Sequence, residues 1–575
     1  MQHFIPSSFF SRWRLIAGMT CCSLFGVFAC SADTETGTQA GLKITSDTGA
    51  EVAGVVSGDV TSGDENLAGV IEIYVADVYQ TSRAGDNLAL IGTFADGTDS
   101  VPAAKSAGRI MLTVKPETKY QQYFGFGASF TESSAWNLAT IPVAARRDVL
   151  NKLFSPTDGA GISLTRTHIN RSDESNNHYA YVEHGDEDLS TCSLVEDLKG
   201  FSGDENDQVR GVALEDAAYD LIPMILEAQS IHGADFKIIA SPWSPPSWMK
   251  SGETGEMTNG YLQEKYHPLW AGYLSEYLSA YAAHGIDIWA ITPQNEPLHA
   301  HDARWDSNGW SATQARDFLR DHLGPRLEMD GHLNTADLEA GVRVLVYDHN
   351  KSVMNDYVAP TYSDSGASKY AWGTAFHWYA ASDVDDNRWY AAELARLHES
   401  YPDKVMIHTE SSIDINAQDP VGQYWTVSTD YAGKFIPFNT YAYDIITDLN
   451  NWTQGYVEWC IILSNEGKPN PYDNFNSAPV LINPETDEVI YTPLYYLLSH
   501  FSKFIRPGAY RIDLHSDAAT PGVIYTAAKN PNGTIAVVVF NSNEVAYDLG
   551  VELGASVYNV QIAPNAIQTI HLRGG

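Results

Sequence analysis

The stretch "IDIWAITPQNEPLHAHD", residues 286–302, runs from alternating apolar residues straight into a carboxylate, Glu296, held between Asn295 and Pro297. A charged side chain that closes a buried run needs a partner or a task. A second stretch, "KVMIHTESS" at 404–412, repeats the pattern with Glu410. Working outward from these two, further strand-like segments appear between residues 121 and 505. They are "QYFGFGAS", "GISLTRTHI", "FKIIASPW", "RVLVYDHN", "WGTAFHWY" and "GYVEWCIIL". Helical patterns such as "DAAYDLIPMILEAQSIHG" and "YHPLWAGYLSEYLSAYAAHG" alternate with them, with apolar spacings of three and four and a closing glycine. Eight strands separated by helices describe an α/β chain folded as a (β/α)8 TIM barrel, expected over residues 119–505. Six of the eight strands end in polar or aromatic residues, at the rim where such a barrel places its site.

After residue 505 the helical patterns stop. "GVIYTAAKNPNGTIAVVVFN" carries two alternating runs around Asn532-Gly533, a hairpin signal. Residues 506–575 are expected to form a small side β-sandwich, joined by strands from 67–118. Residues 1–29 read as an export leader: Arg12 and Arg14 precede an apolar run too short to span a bilayer. "VFAC" resembles a lipobox, which would lipidate Cys30; ordinary cleavage near Ala29 or Ala32 is the other reading. Residues 30–66 are poor in aromatics and rich in Gly, Ser, Thr and Asp, as a flexible tether would be. The reading is therefore of an exported protein, at the cell surface, in the periplasm or secreted, touching a membrane only through such an anchor.

Composition narrows the partners. Lys plus Arg is 35 against 72 Asp plus Glu, a formal charge of −37, which argues against nucleic acid and anionic membrane surfaces. With 14 Trp, 32 Tyr and 20 Phe, the chain fills a large core and has rings left to line a site. Three of the five cysteines lie within the first 30 residues; Cys192 and Cys460 remain, as a single bridge or, the favoured expectation, two buried free thiols.

Strands four and seven, which end in Glu296 and Glu410, are read as facing one another across the barrel mouth. Two such carboxyls suit glycoside hydrolysis, one protonating the leaving oxygen and the other attacking the anomeric carbon. A buried carboxyl beside another carboxylate is expected to stay protonated, as an acid catalyst requires. Asn295 is placed to hydrogen-bond a sugar hydroxyl beside the reacting carbon, Tyr379 to orient Glu410, and Arg166 to keep Glu410 ionised. Trp243 and Trp459 offer flat faces to a pyranose ring. His299, His301 and Asp302 suggest a metal-binding His-x-His, but partner ligands at other strand ends are missing from the pattern, so a loop flanking the site is the better reading. No metal and no cofactor are expected. Asn451 stands in a glycosylation sequon of little weight behind a bacterial-type leader.

Taken in order, "FGFGASFTESSAW", "SLTRTHINRSD", "SPWSPPSWMK", "TPQNEP", "YDHN", "FHWY", "HTES" and "NEGKPNPYDNFNSAPVLINPETDEVIYTPLYYLLSHFSKFIRPGA" carry a family. The chain resembles glycoside hydrolase family 30, the glucosylceramidase-like retaining enzymes, from about residue 110 to the end. That resemblance implies a barrel fused to a side β-domain, double displacement and no cofactor. It implies Glu296 as acid/base and Glu410 as nucleophile, with Arg166, Asp173, Trp243, Asn295, His377, Tyr379, Trp459 and Asn474 contacting the sugar. Three positions depart from the family pattern. Cys460 stands where Asn is usual, Lys468 replaces a glycine, and Glu174 stands where an aromatic is common.

Family members act on glucosylceramide, on β-1,6-glucans and related glucosides, and on xylosides or fucosides. The acidic chain, the aromatic strand ends and the leader favour a β-linked glucan or oligosaccharide over a glycolipid. A surface lipoprotein that merely binds glycans is the reading from another class; retention of both glutamates with Asn295 speaks against it.

Overall fold

The computed structural model describes residues 74–95, 106–201, 214–251, 257–300, 304–379, 390–428, 435–472, 474–516 and 518–574. The leader, Cys30, the tether, His301 and Asp302 lie outside them.

Eight parallel strands form the barrel: Gly125–Ser129, Leu164–Ile169, Lys237–Pro242, Ala290–Ile291, Arg343–Asn350, Gly373–His377, Val405–Glu410 and Gly455–Cys460. The ladder runs unbroken from the second strand through the eighth to the first. Closure between the first and second strands comes from Ser163 N donating to Phe126 O (3.2 Å) and Phe130 N to Arg166 O (2.7 Å). The fourth strand is shorter than the sequence pattern suggests, two residues rather than nine. Pro293 has no N–H to continue a ladder. Beyond it single bonds hold the chain in place, Asn295 N to Pro242 O and Glu296 N to Asp348 O, both 2.9 Å. Glu296 itself takes a left-handed backbone, φ 45°.

Three bulges decide what the rim presents. Opposite the sixth strand, Tyr347 pairs with Ala375 and His349 with Phe376, leaving Asp348 as the extra residue. Against the same strand, His408 pairs with Phe376 and Glu410 with His377, leaving Thr409. On the eighth strand Glu458 pairs with Ala128 and Cys460 with Ser129, leaving Trp459. A bulge breaks strict alternation and re-aims the side chains that follow it. In this register Asn350, His377 and Glu410 stand in one row across strands five, six and seven.

The second layer is a nine-stranded sheet in which Tyr74–Ser82, Ala89–Phe94 and Ser106–Gln122 pair with six strands between Tyr510 and Gly574. Ser106–Gln122 is 17 residues long and leads directly into the first barrel strand. Asn530 N bonds to Thr534 O (2.8 Å) around Gly533, whose φ of 87° closes the hairpin between Val523–Lys529 and Ile535–Asn541. The helix Pro493–Ser502, opened by a proline whose missing N–H costs nothing there, joins the layers. Leu497 and Phe501 share one buried cluster with Phe126 and Tyr456 of the barrel and Val538, Phe540 and Ile567 of the sheet. On the same helix His500 sits between Thr569 Oγ1 (2.8 Å) and Thr81 Oγ1 (2.9 Å), and burial pushes its imidazole down to about 3, so it is neutral.

Both layers therefore depend on one shared core. Phe501→Ala should cost about 3–5 kcal/mol and shift one cooperative melt of residues 74–574. Calorimetry that showed barrel and sheet melting separately, with one of them unmoved, would contradict this.

Candidate active site

A cavity of about 400 Å³ opens at the carboxyl ends of the barrel strands, with Glu296 and Glu410 both in its wall. The two strands are not directly opposed: the fifth and sixth lie between the fourth and seventh. Those intervening strands supply the side chains that tie the two glutamates together.

The centre of the arrangement is Arg166, wholly buried on the second strand. Its Nη1 donates to Glu410 Oε2 (2.6 Å), while Nη2 donates to Asp348 Oδ2 (2.8 Å) and Asn295 Oδ1 (2.7 Å). Tyr379 donates to the other Glu410 oxygen, Oε1, at 3.0 Å. Asn295 commits its carbonyl oxygen to Arg166, which leaves its amide N–H groups for the cavity. Asp348 also accepts from Ser241 Oγ (2.9 Å), Thr292 Oγ1 (2.8 Å) and Thr409 Oγ1 (2.6 Å). Burial alone would raise its carboxyl; the charge of Arg166 and the bond to His377 outweigh that and hold it well below the usual range.

Glu296 faces three imidazoles. His377 Nδ1 lies 3.4 Å and His349 Nδ1 3.5 Å from Oε1, and His299 Nδ1 lies 3.4 Å from Oε2. Burial pushes this carboxyl up, but the three rings hold it well below the usual range. The expectation that a neighbouring carboxylate keeps Glu296 protonated is thus overturned: its field is set by imidazoles, not by Glu410. Against burial, which lowers it, Glu410, Asp348 and Glu296 push His377 up to about 9, so its imidazole holds a proton at neutral pH.

The remaining sequence-derived residues converge on the same cavity. Trp243 and Trp459 stack on each other, centroids 4.9 Å apart, beneath the guanidinium of Arg166. Asp173 Oδ2 accepts from Asn474 Nδ2 (3.2 Å), and burial together with Glu410 pushes its carboxyl up to about 7. Of the three departures, two are neighbours of Asp173. Glu174 is wholly buried and accepts from Asn476 Nδ2 (2.7 Å) and Asn470 Nδ2 (3.3 Å). Burial and Asp173 raise it well above the ordinary range, so a neutral acid fills the aromatic's place. Cys460 is a buried free thiol; Cys192, expected buried, is half-exposed and free.

Sequence reasoning missed Asp348, His349 and Glu458. The first two stand in "YDHN", but nothing in a strand pattern announces the bulge that turns them inward. Glu458 sits inside the barrel and accepts from Tyr441 (2.6 Å) and Ser411 (2.5 Å), its carboxyl pushed up to about 8 by burial. The folded state therefore keeps a proton that the unfolded chain releases above the ordinary glutamate range. This contribution is full below that range and declines by up to about 1.4 kcal/mol per pH unit as pH rises to 8. Glu458→Gln should flatten the fall of the urea midpoint across pH 6–8; an unchanged slope would mean the acid is ionised in the fold.

Removing the guanidinium strands two buried carboxylates. Arg166→Met should lose about 3–5 kcal/mol in urea unfolding. Arg166→Lys should recover part of that stability but little turnover, because one ammonium cannot reach three acceptors in the same geometry. Equal turnover in the lysine variant would refute the positioning role.

Comparison with known proteins accords with this geometry. A model of the "Glycosyl hydrolase family 30 TIM-barrel domain" matches residues 123–505, and one of the family's beta sandwich domain matches 508–570. The chain is similar to the lysosomal acid glucosylceramidase of Mus musculus, 28% identical over 476 residues, covering 80% of this chain and 82% of that protein. It is similar to the endo-1,6-beta-D-glucanase of Neurospora crassa, 29% identical over 418 residues, covering 71% and 75%. The solved structure of an endo-beta1,6-glucanase superposes with a TM-score of 0.69 at 27% identity, covering 86% of this chain and 99% of that one. With both of its domains matched by the family's models, the chain belongs to glycosyl hydrolase family 30 and is a glycoside hydrolase.

Proposed function

We infer that the enzyme is a retaining β-glycosidase acting on a β-linked glucan or oligosaccharide, with Glu410 as nucleophile and Glu296 as acid/base. The observation that carries the roles is the asymmetric surroundings of the two carboxyls. Glu410 receives hydrogen bonds on both oxygens from Arg166 and Tyr379, which hold it oriented as a nucleophile. Arg166 pairs with Glu410 and Asp348, and the protonated His377 lies against Asp348 and Glu296, so two cations face three carboxyls and the cluster stays net negative. Positive charge that develops on the sugar ring in the transition state is stabilised there. Glu296, ringed by imidazoles, sits instead in a proton-holding cluster, from which the leaving oxygen draws a proton and to which the attacking water returns one.

Both carboxyls face one imidazole: His377 Nδ1 lies 3.4 Å from Glu296 Oε1 and 3.9 Å from Glu410 Oε1. The choice of retention over inversion rests on the oriented Glu410 and on the resemblance of the motifs around both glutamates to those of the family's retaining enzymes. The choice of a glucan over a glycolipid rests on the lining. Among the described residues the cavity wall holds acids, amides, Arg304, His299, three tryptophans and Tyr379, and no aliphatic side chain. Such a wall hydrogen-bonds hydroxyls and stacks sugar faces; a ceramide tail needs an apolar channel.

Three measurements bear on these roles. A 2-deoxy-2-fluoro β-glucoside should label Glu410 covalently, and early proton NMR should show β-product first; α-product first would refute retention. Glu296→Gln should slow substrates with poor leaving groups by about 10²–10⁴, spare good ones, and be rescued by azide as a β-glycosyl azide. On a panel of β-1,6-glucan, laminarin, nitrophenyl β-glucoside, xyloside and fucoside, and glucosylceramide, the glucans or oligosaccharides should be cleaved fastest. Preference for glucosylceramide would overturn the substrate assignment and leave the catalytic roles standing.

A further inference from the structure

We propose that Glu296, His349 and His377 also form a binding site for a divalent cation of the zinc or copper class, and that occupying it switches hydrolysis off by engaging the acid/base carboxyl. Three side chains on three adjacent strand ends each aim one ligand atom at a common point, all within 4.8 Å of one another. The two nitrogens lie 3.4 and 3.5 Å from Glu296 Oε1. These separations exceed a charge-assisted hydrogen bond of about 2.7–2.9 Å. They equal the edge, about 3.4 Å, of a tetrahedron with metal–ligand bonds of about 2.1 Å.

The surroundings have the form of a metal site's outer ligands. His377 Nε2 is 2.9 Å from Asp348 Oδ1, so the N–H on that side is fixed and Nδ1 points to Glu296. A histidine that donates its far N–H to a buried carboxylate is the usual arrangement behind a zinc ligand. His349 Nδ1 is buried without a hydrogen bond of ordinary length. His299, on the cavity side of Glu296 at 3.4 Å from Oε2, is placed to complete a fourth position, or a water from the cavity fills it. The other cluster of this type among the described residues, His408, Asp444 and Asp448, does not compete. The ammonium of Lys351 already lies between its acids, at 2.7 and 2.6 Å. Imidazole and carboxylate donors suit zinc or copper rather than magnesium or calcium. A metal at this point displaces the proton of His377 into solvent, takes the lone pair on which Glu296 would hold a proton for the leaving oxygen, and stands where that oxygen must come.

The full chain, treated with chelator and titrated with zinc chloride in a calorimeter, should bind one ion per chain. Added cobalt(II) should give the intense visible bands of a tetrahedral ion. Hydrolysis of nitrophenyl β-glucoside should fall about tenfold once free zinc exceeds the calorimetric Kd about tenfold, competitively with substrate and reversibly by chelator. His349→Ala and Glu296→Gln should each weaken zinc binding by at least about tenfold, while Cys192→Ser leaves it unchanged. Should His349→Ala fail to fold, the cobalt spectrum of the unaltered protein still decides: octahedral bands would overturn the proposal. So would unchanged affinity in folded His349→Ala, or stoichiometric zinc without loss of activity. Calorimetry and spectroscopy read this site whichever glycoside proves to be the substrate.

Discussion

The guanidinium of Arg166, without any solvent exposure, is the constraint on which the rest of the site depends. A charge so placed is tolerated only when every donor finds an acceptor and the net charge is balanced close by. Glu410, Asp348, Asn295 and Ser241 meet that demand from the seventh, fifth and third strands and from the segment after the fourth. The rim of the barrel is in effect assembled around this cation. Replacing such a network by apolar residues often stabilises a protein, so its presence is better explained by chemistry than by stability. It fixes one oxygen of Glu410 and the amide of Asn295 relative to each other, with no mobile loop involved.

Much of this was legible in sequence wherever a local signal was strong. A carboxylate that closes an apolar run marks a strand end, and two of them mark a shared mouth. Arg166 and Tyr379 were placed against Glu410 by strand position, and the hydrogen bonds at 2.6 and 3.0 Å realise that contact. What escaped was whatever depends on broken alternation. Asp348 and Thr409 are each the unpaired residue of a bulge, and a pattern of period two has no term for one. The fourth strand was read too long because apolar alternation continues through Pro293, where the ladder stops. The protonation of Glu296 was misjudged for a related reason: His349 and His377 come from other strands, and sequence distance hides them.

The departures at Glu174 and Cys460 take on meaning only in three dimensions. Both are wholly buried near Asp173, and Asn470 and Asn476 turn their amides toward Glu174. An acid held neutral by burial here stands where an aromatic is common in the family. One of its oxygens, Oε1, accepts from two amides of a single loop, so the shape of that loop and the placement of the acid are coupled.

The nine-stranded sheet joins the two ends of the chain. Tyr74–Ser82 pairs along its whole length with Ala566–Gly574, and Arg573 grips Asp77 across 496 residues of sequence. On a ribosome, the first of these strands emerges long before its partner exists. Its edge, together with the apolar residues Ala76 and Val78 that later have no solvent exposure, must wait uncovered while the whole barrel is synthesised. Contacts of such long range are slow to form because the loop-closure cost precedes their reward. A polypeptide with this order of assembly keeps its sheet open until Ala566–Gly574 arrives. That strand is thus the latch of the sheet, so that removing a few of its residues should cost more than removing as many from an exposed loop.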